Sequence, residues 1–137
     1  LSYLLDTNVI SELRKGEGAD TNVRVWFDGI DDEEIYLSVL TLGEIRRGIE
    51  SVRRRDSDSA AVLDSWLARL DEAHGDRILA VDRAVAEEWG RMNVPDPRPV
   101  VDGLLAATAR VAGLTFVTRN VADVKGSGVD LLDPFSS

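Results

Sequence analysis

Short apolar runs at residues 2–5, 35–39, 77–81 and 114–118 alternate with longer stretches whose apolar residues recur every three or four positions. That alternation constrains the fold more than any single motif. Strands separated by helices return by right-handed crossovers, so they pair in parallel and are covered by helices on both faces. The expected architecture is α/β: a three-layer α/β/α sandwich around a mostly parallel sheet. No internal repeat, low-complexity tract or linker divides the chain, so one domain is expected over residues 1–137. In such a sheet the carboxyl ends of the strands share one edge, and ligands bind there.

The spacing predicts helices over 7–15, 22–29, 41–52 and 59–73, another after Asp82, and an alanine-rich one over 102–112. Val62, Leu63, Trp66, Leu67 and Leu70 are the expected inward set of the fourth helix, and Val85, Ala86, Trp89 and Met92 that of the fifth. Gly113 suits a helix C-terminus. The prolines of Val94–Pro99 break regular structure. A helical turn near 121–125, then Gly126 and Gly128, precede a last edge strand at about 129–132.

Sixteen basic residues against 25 acidic ones give a formal charge of −9. This argues against a protein that simply coats nucleic acid with a basic face. The chain has no cysteine, which excludes disulfides, thiol catalysis and thiolate metal sites. No apolar run approaches the roughly 20 residues of a membrane helix, and no signal pattern is visible. A cytoplasmic protein is the expectation. His74, the single histidine, precedes Gly75 and is expected to be exposed.

Four acids stand where strands end or the following helices begin. Asp6 ends the first strand and could cap the next helix, accepting from an amide near Val9. Glu44 lies one turn into the helix after the second strand; Thr41-x-x-Glu44 has the form of a capping box. Gly48, one turn on, costs helix stability, which suggests a close approach by packed backbone or ligand. Asp102 opens the alanine-rich helix and could cap it. Asn120 and Asp123 follow the fourth short run, where Asn120 suits a turn and Asp123 a solvated surface. If these acids converge, they repel one another unless a cation sits among them or some stay protonated. Oxygen-only ligands select hard ions, Mg²⁺ or Mn²⁺. Such a site suits phosphoryl chemistry.

The stretches Leu5-Asp6-Thr7-Asn8-Val9-Ile10-Ser11-Glu12, Leu37-Ser38-Val39-Leu40-Thr41-Leu42-Gly43-Glu44-Ile45, Asp102-Gly103-Leu104-Leu105-Ala106-Ala107-Thr108-Ala109 and Thr118-Arg119-Asn120 through Asp123 together resemble the PIN-domain family. Within it they are similar to the VapC/FitB-like toxins of type II toxin–antitoxin pairs. The resemblance implies a Rossmann-like sandwich, a Mg²⁺- or Mn²⁺-dependent endoribonuclease, a small DNA-binding antitoxin as cognate partner, and a homodimer. It carries the metal-site acids onto Asp6, Glu44 and Asp102. At the fourth acid position the chain departs from some relatives: Asn120 follows Thr-Arg, and Asp123 is the nearest acid. Thr7, Asn8 and Thr118 match polar positions that line such sites. Arg119 is the expected phosphate contact beside the site; Arg46, Arg47 and Arg53 to Arg55 either touch RNA or form a solvated face.

Other readings of the same residues remain. The acidic site could be vestigial, leaving a binding module that acts through its partner. A phosphatase with an aspartyl nucleophile at Asp6 would have a second acid two residues on, where Asn8 stands. A DNA nuclease would use the same chemistry.

Overall fold

The computed structural model describes residues 1–136; Ser137, the last residue of the expected domain, lies outside them. Five parallel strands form the sheet: β1 (Tyr3–Leu5), β2 (Ile35–Ser38), β3 (Ile78–Leu79), β4 (Thr115–Val117) and β5 (Leu131–Leu132), in the order β3-β2-β1-β4-β5. The helices are α1 (Thr7–Leu13), α2 (Thr21–Asp28), α3 (Val39–Arg53), α4 (Ser57–His74), α5 (Arg83–Met92), α6 (Val100–Ala112) and α7 (Val121–Val124). The expected sandwich and its parallel pairing are both present. The strand expected over 77–81 shrinks to two residues, because Gly75–Arg77 winds into a tight helical turn first.

Side chains of each strand divide between two cores, as the period of two requires. Tyr3 and Leu5 pack with Ile35, Leu37 and Val117 under α1 to α4. Leu4 and Phe116 point the other way, against Val85, Leu105, Ala106 and Ala109 of α5 and α6. The alanines let α6 lie close to the sheet. On its other flank a Cβ at Gly103 would stand 3.3 Å from the Trp89 ring, so the glycine permits close packing of α5 on α6.

Several local expectations are corrected. Val62 is 68% exposed, and Ala86 is exposed as well, because α4 and α5 bury narrower stripes than their sequences suggest. His74 is buried: its Nδ1 donates to the Leu70 carbonyl at 2.9 Å, and it lines a small cavity together with Leu5, Ile10 and Phe27. Nothing lies within 4 Å of a Cβ built at Gly48, so no close approach there explains the glycine.

Helix α3 begins earlier than expected. Ser38 is its N-cap, and its Oγ accepts from the Leu40 amide at 3.0 Å. Thr41 is therefore inside the helix, fully buried, with an Oγ1 that has no hydrogen-bond partner. The two hydroxyls predict opposite outcomes. Ser38→Ala should cost about 1 kcal/mol, as loss of a helix cap does. Thr41→Val should be neutral or stabilising, since it replaces an unsatisfied buried hydroxyl by a methyl group. Urea unfolding of both variants checks the assignment; a capping box at Thr41 would reverse the order.

Candidate active site

The carboxyl ends of β1 and β4 are adjacent because these strands pair directly, with Leu5 opposite Val117. The next residue of each strand therefore meets its counterpart. Thr118 Oγ1 donates to Asp6 Oδ2 at 2.7 Å, a buried bond between residues far apart in sequence. The Thr7 amide donates to Asp6 Oδ1 at 2.7 Å, and Asn8 Nδ2 reaches Oδ2 at 3.4 Å. Asp6 is thus the N-cap of α1, through the first amide rather than one near Val9. Its carboxyl is only 4% exposed. Burial pushes its pKa above the ordinary carboxylate value; the bonds from Thr118 and Thr7 oppose that rise, and the nearby charge of Glu44 adds to it.

Strand β2 delivers Glu44 on the second turn of α3. Its Oε1 accepts from Thr7 Oγ1 at 2.6 Å. The side chain therefore turns toward the sheet edge and away from its own helix start, which Ser38 already caps.

Asp102 sits in the first turn of α6 and does not cap it; the helix starts at Val100 after Pro99. Its carboxyl lies near that of Asp123 on α7. The Asp102 pKa is pushed up to about 6, first by burial, then by the charge of Asp6, then by Asp123 and the charge of Glu44. All four expected acids are therefore electrostatically linked at one edge of the sheet. Asp123 is exposed, as its sequence context suggests, and is nevertheless joined to the group.

Asn120 starts α7, and its side chain makes no cap bond; its amide donates to Thr118 Oγ1 at 2.9 Å. Thr118 thus accepts from Asn120 while donating to Asp6, which fixes its hydroxyl orientation. Asn8 Oδ1 accepts from the Arg119 amide at 3.3 Å and ties α1 to the same turn. The Arg119 guanidinium lies over the Phe135 ring, 4.4 Å from its centroid. Sequence reading did not single out Phe135, because its role depends on the path of the C-terminal segment. Arg46 and Arg53 are engaged elsewhere: both hold Asp64 of α4 at 2.7 Å and also contact Glu50. They join the α3–α4 hairpin and are not free for a ligand.

The sequence pattern of the PIN domain matches residues 3–122. The chain belongs to the PIN-domain family. It is 31% identical over 140 residues to the VapC ribonuclease Y4jK of Sinorhizobium fredii, covering 96% of each chain. It is 30% identical over 138 residues to toxin FitB of Neisseria gonorrhoeae, covering 96% of this chain and 97% of that protein. The crystal structure of FitAcB from Neisseria gonorrhoeae superposes with a TM-score of 0.90 at 29% identity, over 98% of this chain and 99% of that one. The PIN fold thus extends past the matched pattern to β5 and the segment carrying Phe135.

The raised pKa of Asp102 has a signed consequence for the metal-free PIN domain. Between the ordinary value of 3.8 and about 6, the folded chain holds a proton that the unfolded chain has lost, so stability falls as pH rises through that window. Asp102→Asn should raise the metal-free melting temperature at pH 7.5 by about 3 °C, the equivalent of about 1 kcal/mol after allowance for solvent screening. The gain should disappear at pH 4. Thermal unfolding in chelator at both pH values measures this, and an equal gain at both would contradict the electrostatic origin.

Proposed function

We propose that this protein is a divalent-metal-dependent endoribonuclease, the toxin of a toxin–antitoxin pair. The observation that carries the proposal is the set Asp6, Glu44, Asp102 and Asp123, gathered at one edge of the sheet although their charges oppose one another. The names of the relatives, a ribonuclease and a toxin, support the substrate and the role. A toxin of this kind requires a neutralising partner, and we assign that part to a small DNA-binding antitoxin.

The donor set suits a hard cation. Every candidate ligand atom is a carboxylate oxygen, and a dication would relieve the repulsion that adds to burial in raising the Asp6 and Asp102 pKa values. Among the described residues no three acids form a finished cage. Asp6, Glu44 and Asp102 would hold Mg²⁺ or Mn²⁺, with Asp123 completing the acidic wall. The bound ion would lower the pKa of a water and offset charge on a non-bridging phosphate oxygen.

The chain's own residues do the positioning. Thr118 and the Thr7 amide fix both Asp6 oxygens, leaving the carboxylate little rotational freedom. Thr7 holds Glu44 by Oε1, so Oε2 is the atom available to accept a proton from the attacking water. Water adds to phosphorus in line with the bond to the 3′ oxygen. That bond breaks, the 3′ oxygen takes a proton from solvent, and the products carry 5′-phosphate and 3′-hydroxyl ends. Stacking on Phe135 holds Arg119 at the edge of the site, where it can meet a phosphate.

Purified protein incubated with total cellular RNA should cleave it in Mg²⁺ and not in chelator. Asp6→Asn should lower the rate by at least about 100-fold, on the order of 3 kcal/mol of transition-state stabilisation. Glu44→Gln should do the same without lowering the melting temperature, because Ser38 caps α3. Mapping the cleaved ends and comparing rates tests both; full activity in Asp6→Asn would defeat the proposal.

A further inference from the structure

A cavity of 620 Å³ lies between the end of α5, the proline loop, α6 and the turn after α7. It is positive, in a chain whose net charge is −9. Arg91, Arg98, Arg110 and Lys125 line it, against Glu88 and Asp96. Glu88 is already bound by Arg91 at 3.0 Å and by Arg110 at 3.1 Å. Arg98 and Lys125 have no ion-pair partner among the described residues.

Two buried polar atoms of this cavity lack partners: Arg98 Nε and Ser127 Oγ. Ser127 is 6% exposed, so water does not readily satisfy it from outside. Its position is fixed rather than accidental. Gly126 and Gly128 flank it with φ of +82° and +84°. Its carbonyl accepts from Arg110 Nη1 at 2.9 Å, and its amide donates to Val124. A Cβ at Gly128 would overlap the Arg110 guanidinium. The proline loop is held as firmly: the Arg98 amide donates to Asn93 Oδ1 at 2.8 Å, and Asn93 Nδ2 donates to the Trp89 carbonyl at 2.7 Å.

A guanidinium, an ammonium and a hydroxyl, all unengaged and facing one cavity, form a donor set for a phosphate group. Its place in the fold says which phosphate. Arg98 precedes Asp102 by one helical turn's worth of chain, and Lys125 follows Asp123 by two residues. Helices α6 and α7, which carry Asp102 and Asp123, pack against each other, so the two segments that line the cavity meet beside the acidic edge. We propose that this cavity holds a backbone phosphate of the RNA strand beyond the scissile one, with Arg98, Lys125 and Ser127 as its donors. This rests on the ribonuclease reading for the identity of the strand. Phosphates further along the strand need a positive site of their own, because the acidic edge repels every phosphate not matched to a cation.

The test is a fluorescence-anisotropy titration of the full chain with a short, labelled, mixed-sequence single-stranded RNA in chelator, where no cleavage occurs. Arg98→Gln with Lys125→Gln should weaken binding about tenfold at low salt. It should also flatten the salt dependence by about 1.4 in the log–log slope, the value for two phosphate contacts on a single strand. Arg69→Gln with Arg83→Gln removes the same charge from exposed positions outside the cavity and should change both far less. Lys125→Gln alone, at an exposed position, should give about half the change in slope, even if the Arg98 substitution disturbs the loop. Equal losses in the pocket and control pairs, or wild-type binding by the pocket pair, overturn the proposal. Competition by an oligoglutamate peptide of equal charge as strong as that by unlabelled RNA also overturns it, since the pocket would then be a carboxylate site. The two readings fail separately. Pocket-dependent binding by a chain that never cleaves RNA upholds the pocket and defeats the nuclease; cleavage with no pocket dependence does the reverse.

Discussion

Burying the Asp6 carboxyl at the end of β1 costs free energy that the surrounding structure offsets with two short hydrogen bonds. One comes from the adjacent amide of Thr7, and the other crosses from Thr118 at the end of β4. The second bond exists only because β1 and β4 are neighbours at the centre of the sheet. That adjacency needs every crossover: β2 and β3 on one side, β5 on the other, and two layers of helices to bury both faces. A polar pair at the middle of the molecule is thus tied to its whole topology. The same Thr118 hydroxyl accepts from the Asn120 amide, which sets the turn into α7 and so the position of Asp123.

Around this anchor the acids work against folding. The charges of Asp6, Asp123 and Glu44 add to burial in raising the Asp102 pKa, and Asp102 stays partly neutral near pH 6 as a result. A sequence selected only for stability would replace one of them with an amide. Places where local stability is given up are where function concentrates. The four acids also come from four different segments, each at the carboxyl edge, where helix starts and strand ends provide polar backbone without disturbing either core.

Much of this was legible in the sequence because it depends on local periodicity. The alternation of strands and helices, and the four acids at their junctions, follow from spacing alone. Features set by tertiary contacts were not legible. Ser38 and Thr41 are both good caps by composition; only the path of β2 into α3 decides for Ser38. His74 looked exposed beside Gly75, yet it closes α4 with its ring bonded back to the Leu70 carbonyl and is buried. Arg46 and Arg53 belonged to an evident basic run, but Asp64, on the next helix, neutralises both. Asp102 looked like a helix cap because Pro99 gives no side-chain signal of the true start. The basic cavity beside α5 and α6 was not legible because its lining residues are scattered over several segments, and each is unremarkable by itself.

If a cation binds among these acids, it displaces the proton that Asp102 holds below about pH 6. Calorimetric titration of the chain with Mn²⁺, in buffers of different ionisation enthalpy, counts the protons released on binding. The account predicts release approaching about one proton per ion at pH 5.5, falling to almost none at pH 8, with the release abolished in Asp102→Asn. Release that is independent of pH, or that survives the Asp102 substitution, would contradict it.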